Sequence, residues 1–179
     1  MTGVLRKVFG TVTTVMLVLV IIVGILLVGV RVIGLRPYAV LSGSMEPIYH
    51  VGSLIYVKKV DPLTLKEEDP VTYRAESGKI VTHKIIEVVY DQNDPNVRYF
   101  RTQGEANNIP DGGARRMEDI IGKPVFTIPY MGYFAYFVQN PPGTYFAIAF
   151  CLVLIIVMIL PELWSDSKEK EAKDDTQDK

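Results

Sequence analysis

Three short polar stretches carry the side chains with which this chain can do chemistry. The first is Leu41-Ser42-Gly43-Ser44-Met45-Glu46-Pro47. Acyl transfer by a serine needs an exposed turn, a base within hydrogen-bond reach and donors for the developing oxyanion. Gly43 allows an unusual backbone and close approach of a substrate. The two flanking serines can then supply a nucleophile and an extra hydroxyl donor. The same residues also suit a plain polar turn. The second stretch is Ile80-Val81-Thr82-His83-Lys84-Ile85. Strand alternation puts His83 on the face of Val81 and Ile85 and turns Lys84 to the other face. On a regular strand the two cannot serve one site. A histidine among apolar neighbours is either a satisfied structural residue or a general base, since this residue type changes charge near neutral pH. The third stretch, residues 104–113, is Gly-Glu-Ala-Asn-Asn-Ile-Pro-Asp-Gly-Gly. Its carboxylates, Glu105 and Asp111, can orient a histidine as the third member of a triad does, or simply solvate a turn.

The elements that would position these residues follow from the charge map. The chain has 179 residues, 49% hydrophobic and 22% charged, with a mean hydropathy of +0.21. That mixture implies two kinds of segment joined together. Arg6 and Lys7 are followed by an uncharged run from Val8 to Val30. As a helix it spans about 34 Å, enough for a bilayer core of about 30 Å. No A-x-A-like site follows it, so the expectation is an uncleaved membrane helix over 8–33 after a short cytoplasmic segment, 1–7. A second uncharged stretch runs from Pro124 to Pro161. It predicts a second membrane helix over 143–163, with Tyr145 and Trp164 near its ends. The polar tail, 164–179, cannot bury a core and is expected to be disordered. Two spans put both termini on one side, and Arg6 and Lys7 favour the cytoplasm for it. The intervening domain, 34–142, then faces outward at the cell membrane.

That domain reads as all-β. Residues 53–60, 70–75, 79–90, 97–103 and 124–130 are rich in β-branched and aromatic residues, and turn signals separate them. No helix of ordinary length is evident inside it. The aromatic stretch 129–142, broken by proline and glycine, is expected at the membrane surface or as the last packed piece of the domain. One cysteine, Cys151, excludes a disulfide framework or a cysteine zinc cluster. Two histidines argue against a His-rich metal site, and no metal or organic cofactor is implied. A net charge of −1 gives no sign of nucleic-acid binding.

Taken in order and in this setting, the stretches resemble type I signal peptidases of the branch found in the endoplasmic reticulum, archaea and some Gram-positive bacteria. Ser42 to Pro47 matches that family's S-G-S-M-x-P box just past the first anchor. Thr82-His83-Lys84 is similar to its T-H-R box. Thr102-Gln103-Gly104-Glu105 resembles its T-K-G-D box, and Asp111 falls where the family has a second aspartate. Ile121-Gly122-Lys123 and the segment Ile128 to Tyr133 resemble its closing segments.

The resemblance implies a membrane-anchored serine endopeptidase with a β-rich catalytic domain between two membrane helices. Ser44 would be the nucleophile, His83 the general base and Asp111 the acid that holds the imidazole. The Ser44 amide and the Ser42 hydroxyl would support the oxyanion. Glu105 replaces the family's aspartate, so it is assigned a supporting part, and the reverse assignment stays open. The implied partners are signal-peptide-bearing preproteins, cut after small residues, with the bilayer and the secretion machinery. Two other readings stand beside it: an inactive membrane-anchored β domain that binds partners, and a hydrolase using Lys84, Lys58 or Lys59 as base.

Overall fold

The structure, a computed structural model, describes residues 2–94 and 96–159. The chain forms two compact units, one being Leu27–Phe137 and the other the segments on either side of it.

In the flanking unit the first apolar run is a helix, α1 (Thr2–Leu27). Apolar side chains such as Val8, Val12, Leu19 and Ile25 stay exposed, which suits a lipid surrounding rather than a packed core. The hydroxyls of Thr11, Thr13 and Thr14 donate to carbonyls one turn back, so they need no outside partner. The span Lys7–Ile33 is long and apolar enough to cross a membrane, with a mean hydropathy of 3.1. Its last turn is a 3-10 helix, Gly29–Ile33, ended by Gly34 in the left-handed region at φ 79°. The second apolar run is a helix, α3, over Gly143–Ile159, about 26 Å long. Residues 160–163 of the expected second span, and the tail 164–179, lie outside the described residues.

The central unit is built on seven strands: β1 (Leu35–Ala39), β2 (Leu54–Lys58), β3 (Pro70–Arg74), β4 (Ile80–Tyr90), β5 (Arg98–Gln103), β6 (Arg115–Arg116) and β7 (Ile120–Ile128). They lie in the order β1-β2-β7-β3-β4-β5-β6, with antiparallel neighbours throughout. β7 joins two half-sheets. Its start pairs with β3 at Thr72↔Gly122 and the rest pairs with β2 from Lys58↔Lys123 onward. At the changeover Gly122, with φ 154°, lies against the Lys58 carbonyl, where any Cβ would collide. In one half-sheet Leu54, Ile55, Tyr56 and Val57 are all buried, so β2 is covered on both faces. In the other, Leu65, Val71, Tyr73, Ile85 and Phe100 form one apolar cluster.

All five expected strands form, with shorter or shifted ends. β1 and β6 are additional. Pro37 argues against a strand by composition, but β1 is an edge strand, where a missing N–H is tolerated. β6 has two residues and no pattern to read. The all-β expectation needs one correction. A helix, α2 (Met131–Gln139), follows β7. Its aromatic residues are mediocre helix formers, and the Gly132-Ala135 spacing that seats it becomes visible only in three dimensions.

Candidate active site

The three polar stretches converge at the junction of β1, β4 and the loop after β5. Ser44 sits in a single 3-10 turn, Gly43–Met45, that follows β1. Met45 anchors the turn, 2% exposed. The amide of Ala106 donates to the Ser44 carbonyl at 2.9 Å, tying the turn to the loop after β5. Gly43 does not have positive φ, and a Cβ there would make ordinary contacts. The position that needs a glycine is Gly104, where a Cβ would come within 2.5 Å of the Ser44 carbonyl oxygen.

His83 lies on β4 opposite Val71, buried beneath the turn. Its Nε2 is 3.0 Å from Ser44 Oγ, and its Nδ1 is 2.6 Å from Asp111 Oδ2. Asp111 is fixed by its own amide, which donates to the Thr102 carbonyl at 2.8 Å. Ser42 Oγ stands 3.4 Å from Ser44 Oγ.

Asp111 Oδ2 is a shared acceptor. Besides His83 it receives the hydroxyls of Thr102 at 2.6 Å and Tyr73 at 2.9 Å. Burial pushes this carboxyl up, but the bonds from Thr102, His83 and Tyr73 and the imidazole's charge together outweigh it and hold the carboxyl below its usual range. Burial, with the neighbouring carboxylate adding to it, pushes the Tyr73 phenol up to about 12, against the opposing bond from Thr102. Tyr73 therefore remains a donor at any working pH. The Arg115 guanidinium lies 5.1 Å from the centre of the Tyr73 ring. Sequence reasoning missed Tyr73 and Thr102. The signal is the register: Val71↔His83, Tyr73↔Val81 and Ile85↔Thr102 place Tyr73, His83 and Thr102 on one sheet face.

Glu105 does not join this group. It pairs with Lys84 Nζ at 2.9 Å, and Glu68 pairs with the same nitrogen at 3.0 Å. Both carboxylates, Glu105 first, raise the Lys84 pKa and keep the amine protonated. A protonated amine cannot accept the proton of a serine hydroxyl. Lys58 lies in the β2 ladder opposite Leu35 and Lys123, beside Lys59. Replacing Lys84 by methionine is expected to leave Ser44-dependent hydrolysis unchanged in an initial-rate assay. A mechanism with Lys84 as the base requires that variant to be inactive.

A cleft of about 130 Å³ opens beside Ser44, between the segment 38–42 and residues 80–82 of β4. Both walls offer backbone. β1 is the edge of its half-sheet, and β4 pairs with β5 only from Lys84 onward.

No protein-family model matches the chain. Among curated proteins, signal peptidase I W of Bacillus subtilis (strain 168) is 36% identical over 83 residues, which is 46% of this chain and 42% of its own length. SEC11C of Canis lupus familiaris, a signal peptidase complex catalytic subunit, is 26% identical over 117 residues, 61% of this chain and 60% of its own. SEC11B of Homo sapiens, whose designation as such a subunit is itself provisional, is 28% identical over 136 residues, 68% of this chain and 77% of its own. The homologues of this chain are thus signal peptidases, of the endoplasmic-reticulum and Gram-positive kinds that its motifs resemble.

Proposed function

We propose that this chain is a membrane-anchored serine endopeptidase that removes signal peptides from exported preproteins, with Ser44, His83 and Asp111 as its catalytic residues. The homologues' names support signal-peptide removal as the activity. The observation that carries the assignment of residues is the unbroken path from Ser44 Oγ through both imidazole nitrogens to Asp111 Oδ2.

The chemistry is ordinary serine acyl transfer. Ser44 Oγ attacks the scissile carbonyl carbon while His83 Nε2 takes the hydroxyl proton. The oxyanion of the tetrahedral intermediate rests on the Ser44 amide, with the Ser42 hydroxyl as second donor. The C–N bond then breaks, and His83 returns the proton to the leaving amine. Water, activated by the same imidazole, hydrolyses the acyl-enzyme. Asp111 fixes the tautomer with Nδ1–H inward and stabilises the transient imidazolium. The Tyr73 and Thr102 hydroxyls hold that carboxylate in place.

A signal segment laid in extended form between 38–42 and 80–82 would gain backbone hydrogen bonds from both edges, as in β-strand addition. The narrow cleft favours small side chains next to the scissile bond. In this reading the chain crosses the cell membrane twice, with the central unit outside the cytoplasm and preproteins arriving in the plane of the bilayer. The test is cleavage of a preprotein by the full chain in liposomes. Cutting after an A-x-A site, lost when the final alanine is replaced by a bulky residue, is the expected outcome. Cutting indifferent to that residue contradicts the specificity.

Asp111 gives a second prediction with two readouts. Asp111→Asn should lower kcat by about 10⁴-fold, because the imidazole loses its charged partner and its fixed tautomer. It should also change acid stability. The folded carboxyl titrates below its unfolded value, so its contribution is present above the unfolded value of about 3.9 and is lost as pH falls through the folded one. Thermal melts below about pH 4 should therefore fall more steeply for the wild type than for Asp111→Asn.

A further inference from the structure

We propose that Arg115 is a positioning residue for the reaction: its guanidinium fastens the loop that carries Asp111 and so sets where that carboxylate meets His83. This rests on the reading of Asp111 as the acid that holds the imidazole.

β6 consists of two arginines, and the sheet treats them oppositely. Arg116 is exposed and pairs with Glu118 and Asp119. Arg115 lies across from Phe100, and directly opposite residues of an antiparallel pair share a face. Phe100 and Thr102 point the same way along β5, and both are wholly buried. Alternation therefore sends Arg115 inward, where it is 8% exposed.

A buried guanidinium ordinarily stands beside a carboxylate, because an uncompensated buried charge is costly. Arg115 forms no ion pair among the described residues, and its Nε is buried without a hydrogen-bond partner. What it does touch belongs to the surroundings of Asp111. Its Nη2 donates to the carbonyl of Gly112, one residue past Asp111. Its charge sits over the Tyr73 ring at cation–π distance, and the hydroxyl of that ring donates to Asp111 Oδ2 at 2.9 Å.

The loop needs such a tether. Asp111 is followed by Gly112 and Gly113, the latter with φ 70°. Glycines give the backbone the most freedom to lose. Before this pair the chain is fixed by the Asp111 amide on the Thr102 carbonyl. After Asp111 the guanidinium holds the next carbonyl, so the carboxylate is gripped from both sides. Its contact with His83 Nδ1 is 2.6 Å, and a drift of about 1 Å would take it out of hydrogen-bond range.

The test is a double-mutant cycle between Arg115→Met and Asp111→Asn, in the full chain in liposomes, with kcat and KM measured on a preprotein with an A-x-A site and a thermal melt for each variant. Arg115→Met should lower kcat by about 10- to 100-fold, the scale of a misplaced catalytic group, with KM within about twofold. In the Asp111→Asn background the same change should cost less than about threefold, because the carboxylate it positions is already gone. Arg115→Lys keeps the charge and should recover part of the loss. It carries the same cycle where a melt shows Arg115→Met unfolded. A folded Arg115→Met chain with kcat within twofold of the wild type overturns the inference. So does an equal loss in both backgrounds, which would mark Arg115 as a general structural residue, and so does a loss confined to KM. In all three cases a strong loss from Asp111→Asn leaves the catalytic reading intact. Full activity of Asp111→Asn overturns that reading and this inference with it.

Discussion

His83→Ala should lower kcat for preprotein cleavage by about 10⁶-fold, the scale of loss when the base is removed from a serine hydrolase. In the proposed mechanism the imidazole takes the Ser44 proton. Its Nε2 lies 3.0 Å from Oγ, while Lys84, the nearest alternative along the strand, faces away and is held by two carboxylates. The side chain is also a structural piece. It is 7% exposed, and truncation leaves a cavity and removes one of the three donors to Asp111 Oδ2 found among the described residues. A thermal melt must therefore accompany the rate. A folded His83→Ala protein that regains cleavage when imidazole is added would show that a missing base, not a lost fold, accounts for the effect. A folded variant that cuts within tenfold of the wild type would remove His83 from the mechanism.

Ser44→Ala should lose as much, and the double variant Ser44→Ala/His83→Ala should lose little more. In the proposed mechanism nucleophile and base act as a unit: without the hydroxyl, the imidazole has no proton to take. Additive losses would mean that the two residues work in different steps. Fold is a smaller concern here than at His83. Ser44 is only partly buried, and the contact that fixes its turn, Ala106 N–H to the Ser44 carbonyl, runs through the backbone. Single-turnover rates for the two single variants and the double variant settle the cycle.

What could be read in advance divides along physical lines. The strands from β2 to β5 and β7 announce themselves because β-branched and aromatic residues cluster between turn signals. The helix α1 does so because one uncharged run is long enough to span a bilayer. Ser44, His83 and Asp111 stand out singly as polar residues with chemical potential. That they meet depends on sheet register across 39 and 28 positions, which no local pattern encodes. The choice between Asp111 and Glu105 shows the same limit. Both are acidic residues in one loop, and only the loop's path sends Glu105 to Lys84 and Asp111 to the imidazole. Tyr73 and Thr102 read as ordinary strand residues until the register puts them on the face of His83. Gly104 is similar: its neighbour, the Ser44 carbonyl, is sixty positions back in the chain. α2 stayed hidden because its aromatic face points outward, the reverse of the pattern that marks a helix in a soluble domain.

The most direct measurement is the fate of one preprotein with an A-x-A site, incubated in liposomes with the intact chain or with Ser44→Ala. The products are read by mass spectrometry. A new N-terminus directly after the site with the intact chain, and none with Ser44→Ala, is the result predicted here. Equal cleavage by both would contradict the assignment of Ser44 as nucleophile, and with it the mechanism built on His83 and Asp111.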